Sequence, residues 1–423
     1  MQPPPEEKTQ SRNAYYLRRE VLWTGLLSSA TSFGSNFAVR LGASNQLIGF
    51  MTAGQSLLAV LLTLPVARFL ETRSKRLGWI VWGRGVQRMV FLLIALMPFI
   101  IPPPYQAAVF VGLILLRQIF LSPHRAGWSA LFADVVPNDQ RTDLLAQRRM
   151  LLSSVTIVAT PLLGGLLDQI LFPYGYQVAY AIGFAAGMMG VRDLLKLQEP
   201  KRPEQAEETP GPIKQRARLR LDRKAIRALF HENREFVQLT VTTLLFNLGA
   251  WLATSLYIIH YLRNLGASDS WVGTVRSIAN LSMVLAAYFW QRVIPRWGDK
   301  RTLRIVAPLM GVFPLVVSFS GQLWPIMAAA AFNNWVMIGM QFSRFNLLLE
   351  ATPADRRPTF LSLHTTMMNL AASFMPMIGV SLADRIGIPT VLLIAGLGRI
   401  AFGLLYTLWR APKLTPPEQH GAV

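Results

Sequence analysis

Arginine is the residue type in this chain whose placement calls for chemistry. Arg84, Arg88, Arg117, Arg125, Arg276 and Arg399 each stand inside long apolar runs. A guanidinium stays charged and presents its donors in a rigid fork. In apolar surroundings it therefore needs an anion, a set of carbonyl oxygens or a water-filled cavity. Arg84 and Arg88 are spaced to share one helix face. The acids are placed differently. Glu20, Glu71, Asp134, Asp168, Glu350 and Asp384 all fall near the ends of the runs, and none stands clearly in the middle of one. Cations without mid-run acids suit an anionic ligand, although a neutral or amphipathic solute fits nearly as well. His124 and His260 could carry a proton near neutral pH, or serve only as hydrogen-bonded structural residues. The chain contains no cysteine, which excludes thiol chemistry and cysteine-based metal sites. It also lacks H-E-x-x-H, G-x-S-x-G and a Walker-type phosphate loop. No enzyme, no metal and no cofactor is implied.

The elements that hold these arginines are membrane spans. Of 423 residues, 52% are hydrophobic and only 15% are charged, against roughly 25% charged in ordinary globular domains. Runs such as MVFLLIALMPFII and PTVLLIAGLGRIAFGLLYTLW are too numerous for the core of a soluble protein, and about 20 apolar residues cross a bilayer as a helix. Hydropathy and turn residues place spans near 20–41, 46–69, 78–101, 106–132, 149–169, 175–195, 237–262, 270–292, 303–321, 324–348, 360–383 and 388–410. The expected fold is therefore all-α, integral to the membrane, with twelve transmembrane helices. The net charge is +20, and its distribution argues against nucleic acid as a partner. Most lysines and arginines lie on the side of the N-terminus, while the opposite loops hold Arg40, Arg263 and Arg385. That bias places both termini in the cytoplasm of a cytoplasmic (plasma or inner) membrane. The N-terminal MQPPPEEKTQSRN is polar and proline-rich, unlike a cleavable signal peptide.

The chain also repeats itself. LGASNQLIG at 41–49 returns as LGASDSWVG at 265–273. Asp134, Pro137 and Arg141 return as Glu350, Pro353 and Arg357, and Pro161 and Gly164 return as Pro376 and Gly379. These matches keep their order and fall at the same span number in each group of six. They divide the chain into an N-terminal tail (1–19), a six-span bundle (20–195), a linker (196–236), a second bundle (237–410) and a C-terminal tail (411–423). The linker is first proline- and glutamate-rich. From Leu221 to Phe236 it has the pattern of a basic amphipathic helix on the inner headgroups. In each LGAS copy, glycine should end one span and Ser44 or Ser268 should cap the next. That makes the motif a tight external turn and a register mark.

Two parallel six-span repeats are an established transporter plan, and over essentially its whole length the chain resembles the major facilitator superfamily. The loop after the second span of that family carries G-x-L-A-D-R-x-G-R-R-R. Here it reads ARFLETRSKR after Val66 and QRVIPRWGDKR after Trp290, each copy keeping part of the pattern. The resemblance implies a cytoplasmic gate with Glu71 as its acid and Arg76 and Arg301 among its basic partners. The alternative is that these are topology signals only. Asp134, Arg141, Glu350 and Arg357, at the inner ends of the fourth and tenth spans, are candidates to make and break charge-assisted bonds at the same gate. The P-x-x-G pairs resemble part of the family's antiporter signature, with a kink and close packing as the plainer reading. The family's cavity is lined by spans 1, 4, 7 and 10. The substrate pathway then takes Ser32, Ser35, Asn36, Arg117, Gln118, Asn247, Thr254, Asn333 and Asn334, with Arg117 and Gln118 matched by the repeat to Asn333 and Asn334. Alternatively, these residues hydrogen-bond between helices. Arg84, Arg88, His124 and Arg399 are candidates for coupling or anion contact. The expected function is secondary active transport of a small-molecule substrate by alternating access, with the lipid bilayer as surroundings and the monomer as the unit. A transporter-fold assembly factor or sensor is the alternative.

Overall fold

The computed structural model describes residues 5–73, 75–199, 233–352 and 357–407. Most of the linker, including nearly all of its expected amphipathic stretch, and the tail at 411–423 lie outside the described residues. The first half contains α1 (Pro5–Thr31), α2 (Gly34–Arg40), α3 (Asn45–Glu71), α4 (Leu77–Ile100), α5 (Pro103–Val135), α6 (Asn138–Gln169) and α7 (Tyr174–Leu194). The second contains α8 (Arg234–Ile259), α9 (Asp269–Trp297), α10 (Asp299–Leu309), α11 (Val312–Phe319), α12 (Leu323–Glu350), α13 (Arg357–Ile386) and α14 (Ile388–Leu404). A π-helical turn, His260–Asn264, closes α8.

These helices make up twelve spans. The first span is α1 plus α2, broken at Ser32 and Phe33, and the ninth is α10 plus α11. Ten segments are each long and apolar enough to cross a membrane by themselves. The other two are the broken first span and α7, which is rich in glycine, alanine and tyrosine and packs along α1 and α4. Small residues let helices approach closely in lipid, so α7 trades hydropathy for packing. The first helix also begins earlier than residue 20: α1 runs from Pro5 straight into the span.

The halves repeat in space as they do in sequence. In the first, α1 packs on α6 and α7, α3 on α5, and α5 on α4. In the second, α8 packs on α13 and α14, α9 on α12, and α12 on α10. Between halves the main pairings are α6 with α9 and α3 with α13. These are the fifth span on the eighth and the second on the eleventh, so the interface repeats too.

The LGAS turns form as their residues dictate. Gly42 and Gly266 adopt φ of 79° and 61°, a region open to glycine without steric cost. Ser44 Oγ accepts the Leu47 amide and Ser268 Oγ accepts the Trp271 amide, each at 3.1 Å.

Candidate functional site

The two turns do more than reverse the chain, because each grips the opposite half. Asp269 opens α9 and is 1% exposed. Its Oδ1 accepts hydrogen bonds from Asn36 Nδ2 and Tyr176 OH, both at 2.7 Å, and its Oδ2 lies 2.8 Å from Arg40 Nε. Its backbone amide donates to Asp168 Oδ1 at 2.9 Å, and the Ser270 amide donates to Asp168 Oδ2 at 2.8 Å. Asp168, at the end of α6, thus caps a helix of the other half with both oxygens. A carboxylate there satisfies orphan amides and meets the positive end of the helix dipole.

The second turn answers with its repeat counterparts. Asp384, near the end of α13, accepts from Asn45 Nδ2 at 2.6 Å and Gln46 Nε2 at 3.0 Å, at the start of α3. Arg263 donates to Asn45 Oδ1 at 2.7 Å and also to the Ala43 carbonyl. The P-x-x-G motifs lie beneath these contacts. A Cβ on Gly273 would stand 2.9 Å from the Thr160 carbonyl oxygen and 3.2 Å from Pro161 Cα. A Cβ on Gly164 would stand 2.6 Å from the Asp269 carbonyl oxygen. The backbones of α6 and α9 touch only because both residues are glycine. Just beneath this face, Ser255 Oγ meets Thr52 Oγ1 of the other half at 3.0 Å.

The expected pathway residues divide between this latch and the bundle interiors. Asn36 belongs to the latch. Arg117 Nη2 and Gln118 Nε2 converge on Gln55 Oε1, at 3.4 and 2.9 Å, and Arg117 lies over the Phe91 ring at 5.6 Å. Their counterparts behave differently. Asn334 bonds back to the Ala330 carbonyl at 2.8 Å, while Asn333 Oδ1 is buried without a partner. Asn247 Nδ2 points at Met368 Sδ, 3.9 Å away. No hydrogen bond links Arg117 or Gln118 to Asn333 or Asn334 among the described residues. Ser32 lies at the break in the first span, where its carbonyl accepts from Arg276 of α9. Beside it, a cavity of about 180 Å³ is lined by Ser35, Thr254, Tyr257, Trp271 and Arg276, with Ile258, Tyr261, Val272 and Val275.

The other arginines are held inside the halves. Glu20 is fully buried and accepts from Arg84 Nη2 at 2.6 Å, Arg148 Nη2 at 2.8 Å and Thr24 Oγ1 at 2.6 Å. A buried acid thus does accompany these arginines, although its position near a span end gave no sign of it. Arg88, 4% exposed, bonds Gln87 Oε1 at 2.5 Å and forms no ion pair among the described residues. Arg399 lies over Phe246 at 4.9 Å. His124 packs against Trp128 at 4.9 Å, and its Nδ1 is buried without a partner.

The expected gate arginines find partners within their own halves. Arg76 Nη1 lies 3.8 Å from Asp134 Oδ2. Arg141 donates to the Val136 carbonyl at 3.0 Å and to that of Ala133. Arg301 lies over Trp297 at 5.6 Å, and Arg357 reaches the Leu349 carbonyl at 3.4 Å. Glu350 is exposed at the end of α12. Glu71 ends α3, and its side chain lies outside the described ones.

Sequence reasoning passed over the working roles of Asp269, Asp168, Asp384, Tyr176, Gln55 and Arg263. One signal was available: Asp168 and Asp384 stand at the same spacing that aligns Asp134 with Glu350 and Arg117 with Asn333.

Two repeated six-helix bundles, joined through helix pairs that also repeat, define a membrane transporter fold. The chain belongs to the Major Facilitator Superfamily, whose model matches residues 21–258 and again 239–422. Its fold is similar to a bacterial homologue of the iron transporter ferroportin in the inward-facing state, with TM-score 0.73, 14% identity, and 94% of this chain and 98% of that one covered. It is similar to a mutant of the nucleoside transporter NupG, with TM-score 0.70, 14% identity, and coverage of 94% and 100%. It is also similar to a D-xylose–proton symporter, with TM-score 0.68, 14% identity, and coverage of 95% and 98%. No curated protein matches the chain in sequence.

Proposed function

We propose that the protein is a secondary active transporter that carries a small solute across the cytoplasmic membrane by alternating access, with both termini in the cytoplasm. One observation carries this reading: the halves are latched by a repeated set of bonds at the face that holds Arg40, Arg263 and Asp384, while Arg76, Arg141, Arg301 and Arg357 at the other face bond inside their own halves. Two bodies latched at one rim, with these arginines of the other rim bonded inside their own halves, fit one end state of a rocking carrier. The lysine and arginine bias assigns the latched face to the outside, so this end state faces inward. The similar ferroportin homologue is described in an inward-facing state as well. The gate residues would then engage across the halves in the other end state, where Arg76 and Asp134 meet α12 and α13.

The test is flux. Purified protein in sealed vesicles, offered a broad panel of labelled metabolites under proton, sodium and counter-substrate gradients, should move at least one solute class. Flux should vanish when the latch is covalently closed. Absence of flux across the panel, together with a protein partner that co-purifies stably, would favour a non-transporting sensor or assembly factor and overturn this reading.

A further inference from the structure

We propose that the cavity beside Arg276 is a binding site for a small monoanion with a flat apolar body, such as an aromatic carboxylate. This inference rests on the transporter reading for its biological use, but not for its physical argument. The first consideration is charge. Arg276 forms no ion pair among the described residues; its Nη1 donates to the neutral carbonyl of Ser32. The acid of the same helix, Asp269, lies two turns away, about 10 Å along the axis. Its carboxylate is already occupied by Arg40 at 2.8 Å, and by Asn36 and Tyr176 at 2.7 Å each. The cavity therefore retains a guanidinium with no carboxylate in contact with it among the described residues. A fixed cation in a pocket walled largely by apolar side chains favours an anion, and the guanidinium fork suits a carboxylate in particular.

The second consideration is the remaining wall. Trp271 and Tyr257 present aromatic surface, and Ile258, Val272 and Val275 present aliphatic surface. Ser35 and Thr254 bring hydroxyls to the same space, where a ligand oxygen can hydrogen-bond to them. The third consideration is size. About 180 Å³ is the room of about six waters, enough for a single ring bearing one carboxylate.

The fourth consideration is position. The cavity lies between the first span, at its break, and the seventh and eighth spans of the other half. Arg276 crosses from one half to the other to reach Ser32. A ligand carboxylate that drew the guanidinium off that carbonyl would loosen a bond between the halves. Binding and the rocking motion would then share one side chain.

The experiment uses the full chain, purified in detergent, with three probes of one shape: benzoate, benzamide and benzylammonium. Thermal unfolding and tryptophan fluorescence are read for the wild type, Arg276→Gln, Arg276→Lys, Trp271→Phe and, as a charge-matched control on the same helix, Arg292→Gln. Benzoate should stabilise the wild type and quench its fluorescence, with benzamide weaker by about tenfold, as expected for a charged hydrogen bond, and benzylammonium inactive. Arg276→Gln should bring benzoate down to the level of benzamide. Arg276→Lys should retain the preference for the anion, Trp271→Phe should lose the quenching, and Arg292→Gln should match the wild type. Equal binding of benzoate and benzamide by the wild type overturns the proposal, as does unchanged benzoate binding in Arg276→Gln or the absence of any benzoate response. The wild-type comparison alone is decisive if Arg276→Gln fails to fold. Benzoate binding without flux in vesicles would uphold this site and remove the transporter reading, while flux of other solutes with no benzoate response would do the reverse.

Discussion

Removing the carboxylate of Glu20 would leave Arg84 and Arg148 facing a neutral group in surroundings that almost exclude water. Arg84 is 4% exposed and Glu20 is 0%. Breaking a buried ion pair by removing one partner costs about 3–5 kcal/mol, chiefly because the other charge remains buried and uncompensated. Glu20→Gln should therefore lower the thermal unfolding midpoint of the purified protein sharply. The double variant Glu20→Gln with Arg84→Gln should recover part of the loss, since it removes a stranded cation as well. An additive double variant would mean that the cluster does not act as a unit. The same bonds join four helices of the first half: Arg148 and Arg84 tie α6 and α4 to α1, and Arg19 ties α1 to Asp193 of α7 with bonds of 2.8 and 2.5 Å. Arg88 is the unusual member, buried against Gln87 and with Nε unpartnered.

Two helices are capped or gripped by carboxylates from the opposite bundle, α9 by Asp168 and α3 by Asp384. A capping carboxylate contributes about 1 kcal/mol, so Asp168 alone holds the latch by about 1 kcal/mol, a factor of roughly five in the balance of two states. Asp168→Asn combined with Asp384→Asn should shift the protein toward opening at this face. Because the chain has no cysteine, a single Thr254→Cys supplies the only thiol, and its labelling by an impermeant maleimide from the latched side should rise several-fold. Gly273→Val should act in the same direction by wedging α9 off Thr160 and Pro161. Unchanged labelling in both variants would mean that the latch does not set the balance. Gly42, Gly266, Ser44 and Ser268 were legible in sequence because a glycine turn and a serine cap are local events. The role of Asp168 was not, since its partners are amides of another span in another half. Tyr176 and Gln55 carried no local signal, because their partners, Asp269 and the pair Arg117 and Gln118, stand on other helices.

On the scale of the whole molecule, the duplication shows itself in matching contacts at the two turns of one rim. Each half supplies one turn and one P-x-x-G, and each turn meets the other half's P-x-x-G helix. The repeats in sequence revealed two alike bundles; they did not reveal that the repeated motifs were partners, because contacts between halves lie outside any spacing rule along one helix. The expected gate residues Arg76 and Asp134 lie at the opposite rim, 3.8 Å apart within one half. If the two rims alternate, tying one rim closed must stop transport without emptying the cavity. Gln46 and Ser381 meet across the latch at 3.2 Å, which makes Gln46→Cys with Ser381→Cys the pair to join with a short, cleavable bis-thiol reagent. Cross-linking should reduce flux in vesicles by about tenfold or more, because the ligand can enter from one side but the minor state needed to release it on the other is removed. Cleaving the reagent should restore flux, and benzoate binding to the cross-linked protein should remain. Full flux through a cross-linked latch would show that the halves do not rock about this site and that the solute takes another path.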